Sequence, residues 1–475
     1  MNVSEQVVSD IVRKVLERLG RGPTAAGAAS RATVGSGIFP DLNSAVDAAR
    51  VAHETLAGEM LELRDKIIRA MRRCIVDNAE ALSRDAVAET GLGRAEDKIA
   101  KNVLAAESTP GLEILQPIAF SGDDGLTLIE RAPWGVIGSI TPCTNPTETI
   151  INNAIGMVAA GNAVVFNAHP LAKGVSSRAI QLLNKSVTDA GGPPNLLSGV
   201  AEPTIETAQA MMSHPGIALL VVTGGPAVVK AAMASGKKVI AAGPGNPPAL
   251  VDETAVIRKA ARDIVSGASL DNNIVCIDEK VCLAVKSIAD ELKEEMKKSG
   301  AIELNASQAD RLTDKVLAEK GSRTVHGAPA REFVGRDARV LLDAIGIKRS
   351  EDIRLIIAEV DLDHPLVWTE QLMPFLPVVR VKDVEEGIFL AKEVEQGCRH
   401  TATMHSRNIE MLSRMARTIN TSLFVKNGPA YAGLGKGGVG YTSFTIAGPT
   451  GEGMTTARNF TRERRCTLVD YFRIV

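Results

Sequence analysis

Apolar positions along the chain fall into two rhythms that exchange repeatedly after Phe39. Over 42–60 (LNSAVDAARVAHETLAGEM) and 63–83 they recur every three or four residues, which predicts amphipathic helices, the first capped by Asp41 or Asn43. Largely apolar runs at 135–140, 162–167 and 217–223 predict buried strands, followed by helices over 146–160, about 176–190 and from Pro226. Short strands are expected at 239–242 and 249–252, then a second α/β set with helices near 253–266 and 282–299. Strands alternating with helices imply parallel βαβ units, hence an α/β fold on an open doubly wound sheet. Two segments break the alternation. Residues 118–130 read as a β-hairpin around Asp123-Asp124-Gly125, and 466–475 as a final strand. Each leaves an edge unpaired unless another subunit covers it, so a homo-oligomer is expected, dimer or tetramer.

Residues 1–20 carry a separate stripe. Val3, Val7, Val8, Ile11, Val12, Val15, Leu16 and Leu19 share one helical face, opposite Glu5, Asp10, Arg13, Lys14, Glu17 and Arg18. Residues 21–37 (RGPTAAGAASRATVGSG) form a small-residue linker. A lone helix of this length is marginal in water, so its stripe calls for a partner. The linker favours docking on another protein over packing on the chain's own domain, and mixed charge without Trp or Phe disfavours a membrane surface. No apolar core follows a basic start, so no secretory signal is expected.

Composition narrows the class. A length of 475 residues suits two or three domains. Lys+Arg 54 against Asp+Glu 56, with 3% aromatics, gives neither the basic excess nor the stacking surface of a nucleic-acid binder. No run approaches the about 18 apolar residues of a membrane span. The six cysteines are dispersed, with no CxxC and no Cys/His cluster, so neither a disulfide framework nor a metal site is expected. A multi-domain enzyme outside the membrane is the reading that remains.

Candidate chemistry is sparse. Cys276 follows Ser269-Leu-Asp-Asn-Asn-Ile-Val275, a polar turn after a helix, and by itself is more often a buried hydrophobe than a nucleophile. Cys143, in Thr141-Pro-Cys-Thr-Asn-Pro146, is a local rival. In that loop Asn145 could aim an amide at a developing oxyanion or merely cap the next helix. Gly224-Gly225 follows a strand and precedes a helix, as a cofactor-phosphate turn would. Gly433–Gly438 and Gly435–Gly440 match GxGxxG formally but open no helix and are decoys. No P-loop, GxSxG or HExxH is present.

Taken in order, these pieces resemble the aldehyde dehydrogenase superfamily over nearly all of residues 38–475. Pro133-Trp-Gly-Val-Ile-Gly-Ser-Ile-Thr-Pro142 with Asn145-Pro146, Gly161-Asn-Ala-Val-Val165, Thr223-Gly-Gly225 and Glu370-Gln-Leu-Met-Pro374 carry the likeness. Cys276 falls at the family's nucleophile position; Cys143 does not. Where hydrolytic members carry a water-activating glutamate this chain has Ala241, within Ile240-Ala-Ala-Gly-Pro-Gly-Asn246. That departure points to a thiol acceptor. Asp271-Asn-Asn273, Arg399-His-Thr-Ala402 with His405-Ser406, and Arg465-Cys-Thr-Leu-Val-Asp470 resemble the CoA-acylating branch, closest to the propionaldehyde and acetaldehyde dehydrogenases of bacterial microcompartments.

The resemblance implies a Rossmann-type cofactor domain (38–115 and 133–245), an α/β catalytic domain (246–456) and oligomerisation strands (116–132 and 457–475). Residues 1–37 resemble an encapsulation helix and linker that binds a shell protein, which would put a cytoplasmic enzyme inside a microcompartment lumen. The implied activity oxidises a short-chain aldehyde, propionaldehyde ahead of acetaldehyde, with NAD and coenzyme A. Cys276 would carry the acyl group, with Asn145 and the Cys276 N–H stabilising the oxyanion. His400 is the candidate base, its alternative being a structural histidine. Thr141, Pro142, Thr144, His169, Thr223, Gly224, Gly225 and Glu370 would line the cofactor channel. The family's adenosine-ribose lysine is missing; Asn167 or His169 stands near its place, which leaves NAD against NADP open. A hydrolytic enzyme releasing free acid is the alternative.

Overall fold

Asp41 starts the first helix: its carboxylate accepts from the Ser44 N–H at 2.9 Å, and Leu42–Ala57 then buries Leu42, Ala45, Val46, Ala49, Ala52 and Leu56 along one face. Leu61–Thr90 follows and stops at Gly91, whose φ of 69° a glycine adopts without strain. The computed structural model describes residues 36–348 and 352–475; the N-terminal stripe and nearly all of the linker lie outside the described residues.

The strands of the first half are β1 (Ile38–Phe39), β2 (Ile118–Gly122), β3 (Gly125–Pro133), β4 (Val136–Ile140), β5 (Ala163–Asn167), β6 (Leu197–Val200), β7 (Leu219–Thr223) and β8 (Lys238–Ala242). Six of them form a parallel sheet in the order β1-β6-β5-β4-β7-β8. The chain runs outward from β4 through β5 and β6, then returns to β4's other side for β7 and β8. Every residue of β4, β5 and β6 is buried, so these strands read as continuous apolar runs rather than alternating ones. The helix Pro146–Ala159 is buried all round. Its two asparagines are bonded to the far end of the chain: Asn152 accepts from the Phe444 N–H at 3.0 Å, and Asn153 from the Thr445 hydroxyl at 3.0 Å. Phe444, Ala447, Ala457 and Phe460 join this core from the far end of the chain.

A second parallel sheet has the order Ala301–Leu304, Leu355–Glu359, Phe375–Val381, Val281–Val285, Pro248–Val251, Thr401–His405 and Leu423–Lys426. Here one expectation fails. Residues 282–299 are not one helix: Val281–Val285 is a buried central strand, and the helix begins at Ala289. The run Val-Cys-Leu-Ala-Val fits either state, and burial between two neighbouring strands decides for the strand.

The hairpin forms as β2 and β3, and β3 pairs on its other edge with Thr461–Val469. That last strand begins earlier than expected and ends at Val469, with residues 471–475 irregular. Gly125 sits at φ +119°, where a β-carbon would lie 2.1 Å from the Leu468 carbonyl oxygen, so only glycine lets the strands close. Within the chain the outer edges of β2 and of Thr461–Val469 have no strand partner among the described residues. Among the described residues no helix is long and apolar enough to cross a membrane.

Candidate active site

β4 runs into Thr141–Asn145 and its neighbour β7 into Gly224-Gly225, so both loops leave the carboxyl ends of adjacent strands where the sheet order reverses. Open α/β sheets bind nucleotides in that crevice. Thr141 is buried, its N–H donates to the Asn167 carbonyl at 3.2 Å, and its hydroxyl has no protein partner. Gly224 donates to the Ala242 carbonyl at 3.2 Å, and a β-carbon on Gly225 would meet only open space. The helix Pro226–Met233 starts beside it without a side-chain cap. An orphaned buried hydroxyl, an open glycine and an uncapped helix start together fit a dinucleotide phosphate.

The other residues expected to line a cofactor channel divide. Pro142 and Thr144 are half-buried in the Thr141–Asn145 loop, and the Thr144 carbonyl accepts from Lys98 Nζ at 2.8 Å. The Thr223 hydroxyl is already paired with Thr445 at 3.0 Å. Asn167 is occupied by the Thr207 hydroxyl at 2.6 Å, whereas His169 is half-buried at the crevice with Nδ1 accepting from the Leu171 N–H at 3.2 Å. Burial and the nearby Arg331 charge lower the His169 imidazole below its usual range.

The loop ahead of Cys276 is built from three consecutive left-handed residues: Asp271, Asn272 and Asn273 have φ of 47°, 56° and 64°. Asp and Asn tolerate this region because their short side chains bond locally. Each of them is anchored here. Asp271 accepts from the Arg94 N–H at 2.6 Å, Lys98 Nζ at 2.9 Å and Lys101 Nζ at 2.6 Å. Asn272 donates to the Gly335 carbonyl and to Asp337, both at 2.9 Å. Asn273 donates to the Ala268 and Glu279 carbonyls at 2.8 and 3.0 Å. Buried Lys280 spends its ammonium on the same loop, at 2.6 Å from Asn273 Oδ1, 2.9 Å from its carbonyl and 3.1 Å from the Val275 carbonyl. The turn therefore delivers Cys276 on a rigid support.

Gly245 is where the rest converges. Its N–H donates to Glu370 Oε1 at 3.1 Å, and a β-carbon there would lie 2.7 Å from the Cys276 carbonyl oxygen and 3.0 Å from His400 Cγ. Cys276, Glu370 and His400 thus surround one glycine. Burial, with the Glu370 and Asp278 charges, pushes the Cys276 thiol up to about 12, against the pull of Lys280. Glu370 is also raised by burial, with Lys280 and the Gly245 N–H opposing. Burial and the Lys280 charge lower His400 to about 4, so the ring is neutral near pH 7. Its Nδ1 lies 2.8 Å from the Thr401 hydroxyl and its Nε2 has no partner.

Asn145 precedes the helix Pro146–Ala159 but makes no side-chain capping bond. Its Oδ1 accepts from Lys101 Nζ at 2.5 Å, while its Nδ2 has only a long 3.4 Å contact with Thr144 Oγ1. Cys143 instead packs on the core of the first sheet, its thiol raised by burial. Ala241 is fully buried on β8, its N–H bonded to Thr450 Oγ1 at 3.0 Å. The sequence reading missed Lys98, Lys101 and Lys280. Two lysines three apart on an amphipathic helix look like a solvated face, and their only herald is the acidic Asp271 placed ahead of Cys276.

Comparison with known proteins identifies the family. Residues 29–452 match the aldehyde dehydrogenase family. The chain is 52% identical, over all of both chains, to the acetaldehyde dehydrogenase (acetylating) EutE of Escherichia coli (strain K12). A propionaldehyde dehydrogenase of Rhodopseudomonas palustris, solved with bound CoA and an acylated cysteine, superposes with a TM-score of 0.89 at 50% identity, covering 92% of this chain and 99% of that one. A propionaldehyde dehydrogenase from the Clostridium phytofermentans fucose utilisation bacterial microcompartment gives 0.90 at 47% identity, covering 93% and 100%. That enzyme has also been solved as cysteine-to-alanine and histidine-to-alanine mutants. This chain belongs to the aldehyde dehydrogenase family.

Proposed function

We propose that the protein is a CoA-acylating aldehyde dehydrogenase that oxidises a short-chain aldehyde with NAD and passes the acyl group from Cys276 to coenzyme A. The observation that carries this reading is that the Cys276 backbone and the ring of a neutral His400, its Nε2 unpartnered, both close on Gly245, while Ala241 brings no carboxylate to activate water. Cys276 adds to the aldehyde carbon, and the Asn145 amide and the Cys276 N–H hold the oxygen of the thiohemiacetal. A nicotinamide dinucleotide, when bound, supplies the hydride acceptor. Thr141, Pro142, Thr144, His169, Thr223, Gly224 and Gly225 are the residues that would hold it, with Glu370 on its nicotinamide side. His400 Nε2 then takes the proton of the CoA thiol as that thiol displaces Cys276 from the thioester.

Propionaldehyde is the proposed substrate ahead of acetaldehyde, in line with the activities named for the two similar structures and against that named for the E. coli relative. Residues 1–37 are proposed to dock the enzyme on a shell protein within a microcompartment lumen. The three-stranded sheet with open edges is proposed to join subunits.

The deciding experiment is NADH formation from propionaldehyde and NAD, with and without CoA, by wild type and Cys276→Ala. Sustained CoA-dependent turnover to propionyl-CoA, lost in the mutant, is expected. Equal turnover without CoA, releasing free propionate, would hand the reaction to the hydrolytic alternative. Removing residues 1–37 should leave turnover intact and abolish co-sedimentation with shells; lost turnover would overturn the linker reading.

A further inference from the structure

The described residues hold a buried ionic cluster behind the nucleophile loop that the chemistry above leaves unused. Lys101, on the helix Ala95–Ser108, is buried with Asp271 and Glu148. Its ammonium touches three acceptors: Asn145 Oδ1 at 2.5 Å, Asp271 Oδ2 at 2.6 Å and Glu148 Oε1 at 3.1 Å. Burying such a cation is costly, and Lys98 already pairs with Asp271 at 2.9 Å, so neutralising Asp271 alone does not call for Lys101.

We propose that Lys101 is a positioning residue of the oxyanion hole, holding Asn145 by its Oδ1 so that Nδ2 faces the reacting oxygen. This rests on the aldehyde dehydrogenase reading of Cys276 and Asn145. The argument is one of hydrogen-bond sense. An ammonium has three donors and no acceptor, so it can bond only the oxygen end of an amide. A flipped Asn145 would press its NH2 against Lys101, and the amide orientation is thereby fixed. The Nδ2 left over has no partner nearer than Thr144 Oγ1 at 3.4 Å, and the residue caps no helix. Donation from the ammonium also polarises the amide and makes its N–H a stronger donor. Asp271, which opens the left-handed turn leading to Cys276, is held by Lys98 and the Arg94 N–H as well, so that turn does not hang on Lys101 and the cation's distinct task is Asn145.

A double-mutant cycle on the holoenzyme tests this. The readout is the single-turnover burst of NADH from propionaldehyde and NAD without CoA, measured for wild type, Lys101→Met, Asn145→Ala and the double variant. Each single variant should lose on the order of 100-fold, the scale of one oxyanion donor. The double variant should fall within about twofold of Asn145→Ala alone. Alkylation of Cys276 by iodoacetamide, which develops no oxyanion, should be unchanged in Lys101→Met. Losses that multiply in the double variant, a wild-type burst in Lys101→Met, or slowed alkylation in step with the burst would each overturn the assignment. If Lys101→Met does not fold, Lys101→Gln, one atom shorter and without charge, goes through the same cycle with the same expected and overturning outcomes. The burst precedes acyl transfer, so a wild type that hands its acyl group to water refutes the CoA reading and leaves the Lys101 result standing.

Discussion

Gly245 packs its α-carbon against the imidazole of His400: a β-carbon added there would stand 3.0 Å from His400 Cγ and 2.7 Å from the Cys276 carbonyl oxygen. The 2.7 Å approach is closer than real β-carbons come and its partner is backbone, while the 3.0 Å approach requires the imidazole to give by a few tenths of an ångström. Gly245→Ala should therefore displace the imidazole and the nucleophile loop together. A misplacement of this kind costs on the order of 100-fold in turnover. The check is kcat for aldehyde oxidation with CoA, and a variant within a few-fold of wild type would mean that the loop yields freely.

The burial that raises the Cys276 thiol to about 12 gives the free enzyme a slow nucleophile at neutral pH. Below a thiol's pKa the thiolate fraction rises tenfold per pH unit, so inactivation by iodoacetamide should climb steadily from about pH 7 to about pH 10. A plateau below pH 9 would show that Lys280 outweighs Glu370 and Asp278 at the sulfur.

The left-handed turn separates backbone strain from side-chain bonding. Asn272, at φ 56°, donates to the Gly335 carbonyl and to Asp337. Asn272→Gly loses those bonds but keeps the conformation, whereas Asn272→Ala loses them and adds about 1–2 kcal/mol of left-handed strain. Urea unfolding midpoints should rank wild type above glycine and glycine above alanine. Alanine equal to glycine would mean the turn relaxes.

Sequence pattern found β4, β5, β7 and β8 of the first sheet because strong breakers separate them, and missed β1 and β6, which are only two and four residues long. Asp41, Gly135, Gly161 and Gly224-Gly225 punctuate it near where the elements change. It failed at Val281–Val285 because a fully buried parallel strand has no alternation to distinguish it from a helix face. The site was legible in part. Asp271-Asn-Asn273 announces a left-handed turn because these residue types tolerate that backbone, but the special role of Cys276 rested on resemblance. The convergence on Gly245 and the cations Lys98, Lys101 and Lys280 were not legible. Each acts across more than one element, and a lysine's burial depends on partners that local sequence does not contain.

Glu279 gives the last prediction. Its carboxyl is buried, accepts from the Ala430 N–H at 2.8 Å through Oε1, and leaves Oε2 without a partner against Gly267. Burial raises it from an ordinary 4.5 to about 8. A carboxyl whose folded pKa lies above its unfolded one contributes stability that is full below about pH 4.5 and is lost as pH rises through about 8, because there the unfolded chain binds fewer protons than the native one. Glu279→Gln removes that titration while keeping an oxygen for the Ala430 N–H. Chemical denaturation at pH 5 and pH 9 should therefore show wild type losing more stability than the glutamine variant across the interval. If both lose the same amount, Glu279 is ionised in the folded protein at neutral pH, and the neighbouring Lys280 holds its charge after all.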